Sequence, residues 1–469
     1  MIAFAVGAPL AGALLSTLLF RLPSPSLRLI RGVLAGIALL LTFAALPHID
    51  PLSALFAGII SLLSFLATLY SLSIFPKTEH EDARWSSRPA YFVLLGAFWS
   101  SMLVAVTSTT FSGVWIGISA TTLATTFLVG FSGGKAALEA AWKYLMLCSF
   151  GIAIALIGIL LLGRAGMGAD IAPNDALAWD ALTRHAGRLR PDLSRVALLL
   201  MLLGFGTKAG LVPMHSWLPD AHSKAPAPIS ALLSGLLVSC SLYAIVRTQQ
   251  VAALVAPGVF DGTLLFVGSL SILVAAILML AQSDVKRLLS YSTVEHAGLV
   301  AIALGLGTPL GAFAAIYHIV NHAFTKALAF LAVGIVQHDR GTTTIGKLHG
   351  LWNDASGKFF LSALIGLMGL PPFGIFISEL LIVAAAALAH AWAALACALA
   401  GVLLAFIALV RLAIDTESGA QVARPRAKRS PVPAFFAVGC AATAALLLAL
   451  APFFAFASKS IAAFAVAVR

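Results

Sequence analysis

Apolar residues come in long runs separated by short polar turns, and the runs have the length of a membrane span. About 17–25 residues cross a bilayer as a helix. Fourteen stretches qualify, at roughly 2–20, 30–47, 52–75, 90–109, 111–131, 140–163, 194–213, 227–247, 262–282, 287–306, 309–335, 358–384, 389–411 and 432–456. The pattern predicts an all-α polytopic membrane protein. Two runs are interrupted. The seventh holds Lys208 and breaks at Pro213, and a polar turn through Trp217-Leu218-Pro219-Asp220-Ala221-His222 leads into the eighth. The twelfth holds Gly369-Leu370-Pro371-Pro372-Phe373-Gly374, with Glu379 just beyond. Helices broken by Gly and Pro are tolerated in lipid where neighbouring protein or water satisfies the freed backbone groups. An ionisable residue beside such a break is the usual mark of an ion pathway. Two broken helices five spans apart are what an internal inverted repeat produces. The expected organisation is 1–89 for helices 1–3, 90–247 and 262–411 for two inverted five-helix units, and 412–469 for a basic loop and helix 14.

Three lysines, Lys143, Lys208 and Lys326, fall inside predicted helices. A lysine at the bilayer centre costs about 2.5–3.5 kcal/mol on insertion scales, so these are expected to face protein or water. Glu139, Glu295 and Glu379 are the acids expected to be buried with them. Glu139 and Lys143 stand at i, i+4 in the favourable order. They read either as pathway members or as an interfacial ion pair closing the cytoplasmic end of the sixth helix. His318, His322 and Lys326 recur at i, i+4, i+8, which is one stripe on a helix, and Glu295-His296 adds an acid and a histidine in the tenth run. Histidine titrates closest to physiological pH. A stripe of such groups in lipid therefore points to a proton relay, with interhelical hydrogen bonding as the structural alternative. Two histidines at i, i+4 also suit a metal, but no neighbouring carboxylate or cysteine completes a site. His215 and Lys224, on either side of the polar turn after Pro213, join the candidate pathway.

Composition narrows the class. Of the 469 residues, 61% are hydrophobic and 10% charged, against about 25% charged in a soluble protein. The net charge of +11 then reads as loops against an anionic cytoplasmic leaflet, not as a nucleic-acid surface. With the N-terminus outside, eighteen of the 29 basic residues fall on the cytoplasmic side and eight, Arg247 among them, on the other, as the positive-inside rule requires. The expected location is the cell inner (plasma) membrane. Cys148, Cys240, Cys397 and Cys440 are dispersed in apolar runs, and no CxxC, Walker loop or GxGxxG stands in the chain, so no cofactor or metal is expected. The first run has neither a basic n-region nor a cleavage site and reads as a retained helix.

Together these features resemble the antiporter-like proton-conducting subunits shared by respiratory complex I, multisubunit sodium/proton antiporters and membrane-bound hydrogenases. The resemblance covers about residues 90–412 and rests on Gly206-Thr207-Lys208 through Pro228, Asp284 through Ser292, His318 through Lys326 and Pro371 through Glu379. Trp217 to His222, Tyr291 to His296 and Glu139 to Tyr144 look most like the hydrogenase-4 component F type. The resemblance implies fourteen core helices, two inverted five-helix units and half-channels joined at midplane. It gives Lys208 the place of the central lysine of the seventh helix, His318, His322 and Lys326 that of the polar line in the eleventh, and Glu379 that of the terminal ionisable residue of the twelfth. Two departures stand out. The family glutamate of the fifth helix is missing, with Ile116 and Ser119 at its two candidate positions, and the eighth helix offers Ser234 and Ser239 where a Lys or His is common. Glu139, or a water chain through Thr121, Ser234 and Ser239, is expected to stand in.

The expected function is proton translocation by a subunit with no active site of its own. Its partners would be other membrane subunits of the same complex, a peripheral redox module and the lipid bilayer. Sodium prefers several oxygen ligands, and the set here is rich in Lys and His. Three alternatives stay open: a cation/proton antiporter subunit, a proton pathway serving a carbon dioxide or bicarbonate partner, and a non-conducting anchor.

Overall fold

A computed structural model describes residues 1–19, 24–74, 88–417 and 438–439. Among them the chain is helical. It opens with α1 (Ile2–Leu18), α2 (Ser24–Ala45), α3 (Pro51–Ile74), α4 (Arg88–Thr107), α5 (Phe111–Val129) and α6 (Gly134–Met167). The short α7 (Trp179–Arg184) lies in the connection to α8 (Pro191–Ala209) and α9 (Trp217–Lys224). A single long span follows, made of α10 (Ala227–Leu232), a π-helical turn at Leu233–Leu237 and α11 (Val238–Val255). Then come α12 (Val259–Leu280), α13 (Val285–Gly305), α14 (Pro309–Arg340), α15 (Ala355–Leu367), α16 (Gly374–Leu388) and α17 (Trp392–Glu417). Among the described residues ten helices are long and apolar enough to cross a membrane alone, and α1, α15 and α16 are shorter apolar helices. Thirteen of the predicted runs thus have their helix. The fourteenth lies outside the described residues apart from 438–439, as do the basic residues from Arg424 to Arg429.

The two breaks fall where Gly and Pro predict them. The α8 helix ends on Gly210 at φ +79°, and α15 gives way to Gly369 at φ +64°. The inverted repeat is visible in the loops. Thr110 caps α5 by accepting from Gly113 N, and the next amide, Phe111 N, donates to Leu177 O at 3.0 Å. Five spans later Asp284 caps α13 by accepting from Arg287 N, and Val285 N donates to Thr343 O, also at 3.0 Å. Each pair ties the loop after the first helix of a unit to the loop after its third. An odd number of spans separates them, so the two ties lie on opposite membrane faces.

Burial locates the core. The spans Ala227–Val255 and Pro309–Arg340 are buried through residues 227–248 and 314–336 and exposed only toward their ends, whereas α2, α6, α12 and α17 each turn much of their surface outward. Small residues allow α6 and α8 to meet closely, as membrane helix pairs require. A Cβ on Gly204 would stand 2.5 Å from Ala155 N and Gly151 O of α6. Gly204→Ala must push the helices apart and is expected to cost about 1–3 kcal/mol, typical of overpacking, seen as a lower midpoint in detergent unfolding.

Arg247 departs from its assignment to an outer loop. It stands on the last turns of α11 and is 4% exposed. An apolar run ends there by sequence, but the fold places α7 and the start of α3 over it.

Candidate functional site

The break after α8 and the close α6–α8 contact fix Lys208 in a fully buried position. Its Nζ donates to Thr122 Oγ1 of α5 at 2.6 Å and to Tyr144 OH of α6 at 2.8 Å. Tyr144 in turn shares a 2.6 Å hydrogen bond with Thr125 Oγ1 and packs edge-on against Trp217 at 5.1 Å. Trp217 Nε1 donates to Thr207 O at 2.9 Å, which ties the two halves of the broken helix together beside the lysine. No carboxylate takes part. Ile116 faces outward at 55% exposure, and the buried Ser119 hydroxyl has no hydrogen-bond partner. Thr122 and Tyr144, not Thr121, Ser234 or Glu139, are the groups on the ammonium.

From here the polar line crosses to the second unit. Ser234, in the π-helical turn, and Thr293 of α13 share a 2.7 Å hydrogen bond. Beyond it, α13 and α14 present the largest buried titratable cluster. Lys326 Nζ donates to Leu289 O at 3.0 Å and to Ser292 Oγ. Glu295 is 2% exposed, within electrostatic reach of Lys326, and its carboxylate stands 3.6 Å from His296 Nδ1. His296 Nδ1 is 3.1 Å from His318 Nε2, and His318 Nδ1 is 2.9 Å from Ser378 Oγ on α16. The His322 ring lies 5.2 Å from that of His296. The predicted stripe on α14 therefore forms and is buried along its length. Glu379 follows Ser378 and is partly buried, its carboxylate lying over Gly369, where no side chain would fit.

The expected burial of Glu139 is corrected, and of the two readings of the Glu139–Lys143 pair the interfacial ion pair is the one that forms. The pair forms at 2.7 Å, but the side chains are 65% and 48% exposed. Lys143 also reaches Asp220 at 3.4 Å, and Asp220 holds Arg287 at 2.6 Å. These four make a charge network on the outward face of α6 near its N-terminal end, apart from the partners of Lys208. The i, i+4 spacing fixes a shared face but not its direction, and α6 is apolar on several sides. His215 is partly buried, 6.3 Å from the Tyr291 ring. Lys224 is exposed at the mouth of a cavity. The sequence reading missed His222, which is fully buried and stacked on Phe330 at 5.0 Å, with both ring nitrogens lacking hydrogen-bond partners among the described residues. It also missed Tyr144, Ser292 and Ser378. Their hydroxyls carry no charge, and only the tertiary fold brings them to the lysine and the histidines. No group of three or more His, Cys, Asp or Glu suited to a metal ion occurs among the described residues.

A model of the family described as the NADH:quinone oxidoreductase/Mrp antiporter transmembrane region matches residues 108–407. A hydrogenase-4 component F homolog from Methylacidiphilum infernorum is 34% identical over 395 residues, spanning 83% of this chain and 81% of its own. Among solved structures, a chain of the membrane-bound sulfane sulfur reductase, an archaeal respiratory membrane complex, superposes with a TM-score of 0.84 at 22% identity, covering 100% of this chain and 99% of that one. A chain of respiratory complex I from Thermus thermophilus gives 0.78 at 24% identity, covering 96% and 98%. Both share the fold.

Proposed function

Because the chain belongs to the NADH:quinone oxidoreductase/Mrp antiporter membrane family, we propose that its buried polar axis carries protons as one antiporter-like subunit of a larger membrane complex. One observation carries this reading. Glu295, His296, His318 and Ser378, all buried, follow one another at 2.9–3.6 Å across α13, α14 and α16. Such groups give and take protons in turn. The unpartnered ring nitrogens of His222, His296 and His322 are buried polar atoms of the kind that bind ordered water. Water there extends the relay from the basic face to Glu379.

In this reading residues 90–247 and 262–411 are the two units. Lys208 serves the first, and Lys326 with the histidines and Glu379 serves the second. His215 and Lys224 stand toward the mouths, while Glu139 and Lys143 lie at the rim. The basic face is cytoplasmic and the N-terminus lies outside the inner membrane, in keeping with the positive-inside rule. A peripheral redox module on partner chains supplies the energy. Lys208→Ala in the assembled complex, reconstituted in proteoliposomes, is expected to lower proton uptake at least about tenfold at fixed redox turnover, the scale of a lost proton-transfer group. Unchanged uptake in a complex that still assembles would replace conduction with the anchoring role that the missing carboxylate of α5 suits.

A further inference from the structure

The basic face contains a vestibule of about 750 Å3, within the range of ligand pockets, about 300–1,000 Å3. Its walls come from the α5–α6 turn, the α9–α10 junction and the first turn of α13. Among the described residues they carry Lys135, Lys224, Lys286 and Arg287, against the single acid Asp284. Arg287 already holds Asp220, and Asp284 is engaged by Arg287 N and the Thr343 hydroxyl. Lys286 is the telling residue. It is 2% exposed, donates to Ala225 O at 2.6 Å, and has no ion-pair partner among the described residues. A buried ammonium whose hydrogen-bond acceptor is neutral is costly even with the Asp284 carboxylate nearby, and a further anion relieves that cost. The N-terminus of the 34-residue α6 opens on the same space. Gly133 and Gly134, at φ +72° and +81°, lead into it, no side chain caps it, and a Cβ on either glycine would meet nothing within 4 Å. Free amides at a long helix's N-terminus favour negative charge.

We infer that this vestibule binds a phosphate-bearing anion, supplied either by a phospholipid headgroup or as free phosphate. Phosphate fits the donor set. Lysines and helix amides line the same vestibule, and a tetrahedral oxyanion accepts from several such donors at once. The inference shares only Lys224 with the proposed pathway; Lys135, Lys286 and the α6 amides lie outside it, so the site does not depend on conduction.

The full chain in detergent would be titrated with inorganic phosphate by calorimetry. In parallel, it would be placed in phosphatidylcholine nanodiscs with and without phosphatidylglycerol, and retained lipid read by native mass spectrometry. Saturable binding is expected in at least one arm, and the arm that binds identifies the source. Lys286→Gln is expected to weaken it at least about tenfold, the scale of one charge-assisted contact. Because Lys286 also braces the α9–α10 junction, the double variant Lys135→Gln/Lys224→Gln, at two exposed positions, is the second test and should weaken binding as well. Lys347→Gln/Lys358→Gln, exposed lysines outside the cavity, should not. Absence of saturable binding in both arms, or equal loss from both double variants, overturns the site.

Discussion

Glu295→Gln is expected to reduce proton translocation at least about tenfold while leaving assembly intact. The substitution keeps the volume and hydrogen-bonding capacity of the side chain and removes only its ability to take up a proton and bear a negative charge. Glu295 is the carboxylate that pairs electrostatically with Lys326 and touches His296 at 3.6 Å. With an amide there, a proton leaving Lys326 loses its acidic acceptor on α13 and the lysine its counter-charge there, leaving Glu379 on α16 as the other acid of the second unit. A lost acid–base group in a relay costs about 10²–10⁴-fold where it is obligatory, so tenfold is a floor. The check is proton uptake by the reconstituted complex against Glu139→Gln. Glu139 belongs to an exposed ion pair, and such pairs are worth about 0–1 kcal/mol. Its loss should leave uptake near wild type. Equal losses in both variants would detach the relay from the α13–α14 cluster.

That contrast marks what the sequence could disclose. The four-residue recurrence of His318, His322 and Lys326 specifies one helix face, and a helix with polar groups on a face inside lipid must bury that face, so the stripe was legible. The breaks at Gly210 and Gly369 were legible too, because Gly and Pro act locally. Glu139 and Lys143 share the same spacing rule, but α6 is apolar around its other sides, and nothing in the sequence says which side meets α8. The partners of Lys208 were not legible for another reason. The sequence marks charges, and the fold supplied hydroxyls from Thr122 and Tyr144, contributed by two helices that reach the lysine only through packing. His222 was hidden inside a segment that reads as a turn. Arg247 was misplaced because a charge at the end of an apolar run looks like a loop residue until the neighbouring segments are seen to cover it.

Asp50→Ala is expected to be the most destabilising single substitution on the face opposite the vestibule. Arg247 is an almost fully buried guanidinium whose one ionic partner among the described residues is the Asp50 carboxylate. Its other contacts are neutral: Tyr243 OH at 3.1 Å, Gln250 Oε1 at 3.2 Å, Ser53 Oγ at 3.1 Å and the Trp179 ring at 4.7 Å. Together they pin α11, the connection containing α7 and the start of α3 to one another. Removing one member of a buried pair leaves the other charge uncompensated, at a cost of about 3–5 kcal/mol. The low end applies, because Asp50 is itself 42% exposed and water can partly replace it. The double variant Asp50→Ala/Arg247→Met, which removes both charges and keeps an apolar filler, should recover much of the loss. The pH dependence has a definite sign. Burial raises the Asp50 pKa, but the Ser53 hydrogen bonds and the Arg247 charge outweigh it and hold the carboxyl below its ordinary value. Its folded value then lies below its unfolded one, so the contribution to stability is complete above the unfolded value and fades as pH falls through the folded value. Unfolding of the purified chain in detergent, followed from neutral to acid pH, should show wild type and Asp50→Ala converging as pH drops, while Gly204→Ala stays displaced from wild type by a constant amount.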